Sequence, residues 1–303
     1  MTATSANGLT LEYESLGSDA DPVILLVMGL GMQMIMWPDA LCEMLVARGF
    51  RVVRFDNRDV GLSTQLDHLG TPRVGWEALK FALHLPLKAP YLIGDMARDT
   101  AGLLDALGIA RAHVVGASMG GMIAQNLAAD FPEKVATLTS IMSSTGRRSL
   151  PPPTSRVRRA LLQKPAKRGD FEGAVRQLVF VLNEIGSRTH PFDQPWLREL
   201  SERHVRRRYN PPGVARQLLA IAASGDRTSV VKRIKAPTLV IHGDEDPLLR
   251  PACGDETVRV IRKAGGNVEQ LTVRGMGHDL PTPLLPQLAD AIAGHCSRYG
   301  GRP

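Results

Sequence analysis

The sequence predicts an α/β fold, in which a mostly parallel central sheet has helices on both faces and carries an inserted block of helices. Short apolar runs alternate with helical patterns through residues 1–146, and the alternation resumes at residue 234. Such alternation is typical of parallel strands joined by crossover helices. Residues 147–233 contain helical patterns and prolines but no run typical of a buried strand. We therefore predict one core, residues 1–146 and 234–303, and one helical insertion, residues 147–233.

The predicted elements follow in order along the chain. Apolar runs predict strands at residues 9–16, 22–28, 50–56, 112–115, 135–142, 236–243 and 268–275. Apolar residues at helical spacing predict helices in the core at about residues 37–48, 92–107, 119–128, 256–263 and 284–295. Within the insertion, Asp170 is a good N-cap for one helix, and Pro195 suits the first helical position of another.

Composition narrows the class of protein. Hydrophobic residues make up 44% of the 303 residues and charged residues 22%, as in soluble globular proteins. No apolar stretch approaches the ~20 residues that span a bilayer, and residues 1–17 lack the pattern of a signal peptide. We therefore expect a cytoplasmic protein without a membrane span. Cys42, Cys253 and Cys296 are widely separated, which predicts neither a disulfide framework nor a metal site.

The positive charge is concentrated in the insertion. The chain has a net charge of +7, yet residues 147–233 hold 19 Lys and Arg against 7 Asp and Glu, while the rest holds 18 against 23. Runs such as Arg206 to Arg208 lack the interleaved aromatic residues and fold signature of a nucleic-acid site, so we expect no nucleic-acid partner. We expect the arginines to lie on the outer face, with apolar residues packed inward at helical spacing: Val157, Leu161, Leu178, Leu182 and Leu218.

A serine between two glycines follows one of the predicted strands. The segment GASMG, residues 116–120, stands between a strand pattern and a helix pattern. Ser118 therefore lies on a strand-to-helix turn, where Gly116 and Gly120 remove side chains that would crowd a sharp bend. The bend would hold the hydroxyl group above the sheet, as in a nucleophile elbow. The same pentapeptide also occurs in ordinary loops, so the assignment depends on the partners of Ser118.

The chain supplies an acid and a base for this serine. A serine hydroxyl becomes a good nucleophile when a base removes its proton and a third group orients the base. Asp246 and His278 follow the two predicted strands after the insertion, at the carboxyl edge where functional groups gather in such sheets. The order serine, acid, histidine is the one expected for an elbow of this kind. Asp244 is a competing acid, but Asp246 clears the strand end and Pro247 fixes the turn behind it.

Backbone amides near the serine predict an oxyanion hole, because the tetrahedral intermediate of acyl transfer carries a negative oxygen. One donor is the N–H of Met119, the residue after the nucleophile. The other is the N–H of Leu30, in a loop where Gly29 and Gly31 let the backbone turn its amides inward. Methionines cluster around both segments, and we assign an adaptable apolar substrate pocket to three of them: Met28, Met32 and Met122.

Four segments together resemble the α/β-hydrolase family. They are GASMGG at the elbow, HGDEDP at the acid, GMGHDLP at the base and FDNRDVGLS at residues 55–63. The resemblance covers nearly the whole chain. Within the family, this chain is similar to the aclacinomycin methylesterase, carboxylesterase and enol-lactonase group. It implies a serine esterase that needs no cofactor, with the insertion as a cap over the site. Many members have His-Gly where this chain has Met28 and Gly29, a departure that leaves the backbone donor in place.

These observations predict a carboxylic-ester hydrolase that forms an acyl-enzyme on Ser118. We expect its substrates to be neutral small-molecule esters of short to medium acyl length. A lactonase or a perhydrolase with the same three residues remains an alternative, as does a ligand receptor or scaffold of the same fold with little turnover. Haloalkane dehalogenase and epoxide hydrolase chemistry is the least favoured, because it requires a carboxylate where this chain has serine.

Overall fold

The computed structural model describes residues 2–161, 163–167 and 169–300. Within these residues, eight strands form one sheet in the order β1-β2-β4-β3-β5-β6-β7-β8. The strands are β1 (Thr2–Ala6), β2 (Leu9–Leu16), β3 (Val23–Val27), β4 (Arg51–Phe55), β5 (Ala112–Ala117), β6 (Val135–Ile141), β7 (Thr238–Gly243) and β8 (Val268–Val273). The pairs β1–β2 and β2–β4 are antiparallel, and all other neighbours are parallel. The predicted fold class is confirmed.

Helices cover both faces of this sheet. Those of the core are α1 (Asp39–Val46), α2 (Val74–Ala82), α3 (Ile93–Ala106), α4 (Met119–Asp130), α10 (Ala252–Lys263) and α11 (Leu285–Gly300). Alternate residues of β3 point to opposite faces, so Leu25 packs with α3 and α4, and Ile24 packs with α1 and α11. All five residues of β3 are buried, which explains its continuous apolar sequence.

In the described part of the chain between β6 and β7, the structure has five helices: α5 (Ser155–Leu161), α6 (Phe171–Ile185), α7 (Gln194–Arg207), α8 (Pro211–Ser224) and α9 (Thr228–Val231). Asp170 caps α6, because its Oδ1 accepts a hydrogen bond from Gly173 N at 2.8 Å. Pro195 is the second residue of α7 rather than the first, and Asp193 is the N-cap. None of the helices that the structure describes is long and apolar enough to cross a membrane.

Two arginines, one half-buried and one fully buried, join the inserted helices to the core. Arg207 of α7 lies 2.5 Å from Oδ2 of Asp56, and Arg216 of α8 forms a two-pronged pair with Asp59 at 2.6 and 2.8 Å. The charge pattern had led us to expect the arginines of the insertion on its outer face. For Arg207 and Arg216 this expectation is wrong, because both contact the core. The apolar residues are also divided: Val157 and Leu182 are buried and Leu178 is half-buried, whereas Leu161 and Leu218 are exposed.

Candidate active site

Ser118 occupies a strained turn between β5 and α4. Its φ of 57° lies in the left-handed region that side-chain-bearing residues rarely adopt. The turn is tight, because a Cβ at Gly120 would stand 1.9 Å from the carbonyl oxygen of Val27, and one at Gly116 would stand 2.2 Å from that of Gly120. The backbone of Ser118 is held by hydrogen bonds to Ile141 and from the Ser143 hydroxyl. Glycine is therefore required at both flanking positions.

The structure brings Ser118, His278 and Asp246 together. The Nε2 atom of His278 lies 2.9 Å from the Oγ of Ser118, and its Nδ1 atom lies 2.7 Å from the Oδ2 of Asp246. His278 follows β8 and Asp246 follows β7, so both arrive at the edge of the sheet where β5 ends. With Nδ1–H donating to Asp246, Nε2 is the lone-pair nitrogen that faces the serine hydroxyl.

Asp246 differs from its acidic neighbours in what it contacts. Its Oδ1 accepts the backbone N–H groups of Leu248 and Leu249, each at 2.9 Å, which leaves Oδ2 for His278. Burial alone would raise the pKa of Asp246. The attraction of His278 and the hydrogen bonds from His242 and His278 outweigh burial and lower this pKa to about 2. Asp246 is therefore ionised throughout the neutral range.

The two competing carboxylates are engaged elsewhere. Asp244 accepts the backbone N–H of Gly275 at 2.7 Å. Glu245 accepts the backbone N–H groups of Arg188 and Thr189 and the Thr189 hydroxyl, all at the end of α6. Asp246 is the acid of this trio that contacts the ring of His278.

The loop after β3 passes directly beside Ser118. A Cβ on Gly29 would stand 3.2 Å from the Cβ of Ser118, so the backbone of this loop reaches the nucleophile without intervening side chains. Among the described residues, no hydrogen-bond acceptor faces the N–H of either Leu30 or Met119. Both N–H groups are therefore without a protein acceptor within this part of the chain, a condition that the donors of an oxyanion hole must meet.

A glutamine from the insertion holds this loop, and sequence reasoning missed it. Gln217 of α8 is fully buried. Its Oε1 accepts the N–H of Gly31 at 2.8 Å, and its Nε2 donates to the carbonyl of Arg58 at 2.7 Å. The amide of Gly31 is therefore occupied, and the backbone beside Leu30 is fixed. No local pattern marks Gln217, because its partners lie more than 150 residues away in the chain.

The end of α6 holds the histidine loop in a similar way. The backbone N–H of His278 donates to the carbonyl of Ile185 at 2.9 Å. The hydroxyl of Ser187 accepts the N–H of Gly277 and donates to Asp279. Burial raises the pKa of Asp279, although its hydrogen bonds with Ser187 oppose this. The inserted helices and the segment after α6 therefore hold both the loop after β3 and the loop of His278.

The structure separates the three methionines of the expected pocket. Met28 and Met122 are buried in different apolar cores, on opposite faces of the sheet. Met32 is half-buried and contacts both the core under α1 and the apolar cluster of the insertion. Of the three, Met32 is thus the one that bridges core and insertion.

Comparison with known proteins identifies the family of this chain. A family model described as alpha/beta hydrolase fold matches residues 22–279. The rhodomycin D methylesterases DauP of Streptomyces sp. (strain C5) and DnrP of Streptomyces peucetius are 32% and 31% identical to this chain, over 95% of each sequence. Among solved structures, the enol-lactonase from Burkholderia xenovorans LB400 is 24% identical, with a TM-score of 0.67 over 98% of this chain and 99% of that one. The chain therefore belongs to the α/β-hydrolase family.

Proposed function

We propose that this protein is a serine hydrolase that cleaves carboxylic esters through an acyl-enzyme on Ser118. The observation that carries the proposal is the continuous set of contacts from Asp246 through His278 to Ser118, at 2.7 and 2.9 Å. Each distance lies within hydrogen-bond reach, which is the geometry that a nucleophile, its base and an orienting acid require.

In the proposed cycle, Ser118 Oγ attacks the ester carbonyl while Nε2 of His278 takes the hydroxyl proton. The carbonyl oxygen becomes an oxyanion, which the N–H groups of Leu30 and Met119 stabilise. The intermediate collapses, the C–O bond to the alcohol breaks, and His278 returns the proton to the departing alcohol. Water then attacks the acyl-enzyme with His278 as base, releasing the acid and regenerating Ser118. These groups and one water balance every proton, so the proposal calls for no cofactor.

Two observations support a substrate class: the activity of the relatives and the pairing of two arginines. Relatives that are similar over nearly the whole chain are methylesterases, which favours an ester with a small alcohol as leaving group. Arg207 and Arg216 are neutralised by Asp56 and Asp59, so these cations are not available to attract an anionic acyl group. We therefore propose neutral esters of short to medium acyl length.

A substrate panel tests this function. We expect turnover of neutral p-nitrophenyl and methyl esters, slower turnover of lactones, and little change in kcat/KM between low and high salt. Electrostatic steering of a charged substrate would instead make the rate fall steeply with ionic strength. A strong preference for carboxylate-bearing esters that collapses in salt, and is lost in Arg206→Gln/Arg208→Gln, would contradict the neutral-ester assignment. An absence of turnover for all esters and lactones would contradict the function.

Gln217→Leu is expected to lower kcat by about tenfold or more with little change in KM, because a displaced oxyanion donor weakens interactions made mainly in the transition state. The Gly31 N–H would lose its acceptor, which costs about 1–3 kcal/mol of stability, so the thermal midpoint should fall as well. Leu218→Ala, at the exposed neighbouring position, is the control.

If Gln217 positions the oxyanion donor, its loss should weaken the binding of a transition-state mimic more than the binding of product. The affinity for a boronic acid, which mimics the tetrahedral intermediate, should fall in parallel with kcat. The affinity for the carboxylic acid product should stay constant. If both affinities fall equally, or if kcat is unchanged, Gln217 supports the fold alone.

A further inference from the structure

Exposed apolar side chains are concentrated in one part of the chain. Thirteen large apolar residues of the described chain are exposed, and nine of them lie within residues 62–92. Scattered exposed apolar residues are normal on a soluble protein, whereas a cluster marks an interaction site. The helix α2 lies at the centre of this stretch.

The polarity of α2 is the reverse of that in an ordinary surface helix. Trp76 and Leu79 of α2 and Leu83, its C-cap, stand at spacings of three and four and are 56%, 48% and 60% exposed. We call these three residues the α2 stripe. The charged residues Glu77 and Lys80 pair with each other at 2.9 Å, and their side chains are only 18% and 25% exposed. A surface helix normally turns its apolar face inward and its charges outward. The α2 stripe therefore has the character of a face that another surface covers.

Cations without a carboxylate partner lie before, after and beside α2. Arg73 precedes α2 and Lys88 follows it, and Arg148 places its guanidinium 5.0 Å from the centre of the Phe81 ring. Within the described part of the chain, none of these three cations pairs with an Asp or Glu. The carboxylates nearby are already paired, Glu77 with Lys80 and Asp67 with Arg216. The helix that carries the stripe is thus flanked by positive charge without a carboxylate partner.

We propose that the α2 stripe docks on an anionic phospholipid surface. An apolar strip containing tryptophan, flanked by lysine and arginine, suits the boundary between headgroups and acyl chains. The apolar side chains would enter the boundary, while Arg73, Lys88 and Arg148 would contact the lipid phosphates. Because α2 packs beside α8, docking would place the inserted helices next to the lipid.

A second copy of this chain fits the stripe less well. Two copies meeting through this face would bring the unpaired cations of both together, with no free carboxylate on α2 to offset them. A single nine-residue helix also offers far less area than the ~800 Å² per partner of a stable protein interface.

Cosedimentation with vesicles tests the proposal. The full-length protein is expected to bind vesicles that contain phosphatidylglycerol and phosphatidylcholine, and to bind pure phosphatidylcholine at least about tenfold more weakly. Leu79→Ser/Leu83→Ser should reduce binding by about tenfold or more, because it removes two of the three apolar side chains of the stripe. Phe180→Ser, at an exposed apolar position on α6, should bind as the wild type does.

A second pair of variants tests the contribution of positive charge to vesicle binding. Arg73→Gln/Lys88→Gln should weaken binding to the anionic vesicles, whereas Arg262→Gln/Lys263→Gln, on the exposed end of α10, should not. Turnover of a soluble ester should be the same in all four variants, which confirms that each is folded. Equal binding by the Leu79→Ser/Leu83→Ser variant, no binding by the wild type, or a wild-type dimer that this variant converts to monomer would overturn the proposal.

Discussion

Ser118→Ala is expected to lower kcat for ester hydrolysis by ~10⁴-fold or more, because nucleophile, base and acid act as a unit. Removing the Oγ atom leaves His278 without a proton to accept, while the neighbouring backbone is unchanged. The fold should tolerate the change, since Ser118 already holds its left-handed turn through backbone contacts. Ester-hydrolysis assays with both purified proteins give the ratio of their kcat values. Circular dichroism checks that the variant is folded.

Covalent labelling separates loss of the nucleophile from loss of the site. A fluorophosphonate should attach to Ser118, as peptide mass spectrometry would show, and should not attach to the Ser118→Ala variant. Ser144→Ala, which changes a buried serine in the loop after β6, should be labelled at Ser118 like the wild type. Wild-type turnover in Ser118→Ala, or a label on another residue, would refute the proposed mechanism.

Asp246→Asn is expected to lower kcat by about 10⁴-fold while the protein stays folded. The asparagine oxygen can still accept the N–H groups of Leu248 and Leu249. Its amide nitrogen then faces Nδ1 of His278 as a donor, which moves the ring proton to Nε2. With Nε2 protonated, His278 cannot take the proton of Ser118.

Asp244→Asn is the matched comparison. This residue accepts the N–H of Gly275 and makes no contact with the ring of His278, and an asparagine oxygen preserves that hydrogen bond. We expect its kcat to stay within a few-fold of the wild type. If the Asp244 variant is crippled and the Asp246 variant is active, the acid has been assigned to the wrong residue.

The core of the fold was predictable because its signals are local. Strands β3, β5 and β7 are buried on both faces, so their sequences are mostly apolar and stand out from the surrounding helices. The elbow was visible for a related reason, since the turn at Ser118 leaves no room for a side chain at its two glycines. These local patterns were nearly sufficient to predict the fold class.

The missed elements lack such signals. Strand β1 is a short edge strand of small and polar residues. Helix α2 exposes its apolar residues and has no fully buried residue, so periodicity could not indicate what it packs against. Leu161 and Leu218 were expected to point inward by spacing alone, yet both are exposed. Spacing fixes which residues share a face of a helix, whereas only the tertiary arrangement decides where that face points.

The candidate site also contains residues with local sequence signals and residues without them. Ser118, Asp246 and His278 follow directly from turn chemistry and from the edge at which parallel strands end. Gln217 and Ser187 were out of reach, because each acts on a loop that is distant in the chain. The roles of such residues depend on how the inserted helices settle on the core.

The buried pairs Arg207–Asp56 and Arg216–Asp59 limit how this enzyme can be redesigned. Grafting the helices of a relative onto this core would leave Asp56 or Asp59 charged and unpaired wherever the donor lacks the matching arginine. Losing one partner of a buried pair costs about 3–5 kcal/mol, a large share of the ~5–15 kcal/mol that keeps a protein folded. Any chimera must therefore exchange residues 56–67 together with the helices, as one inherited unit.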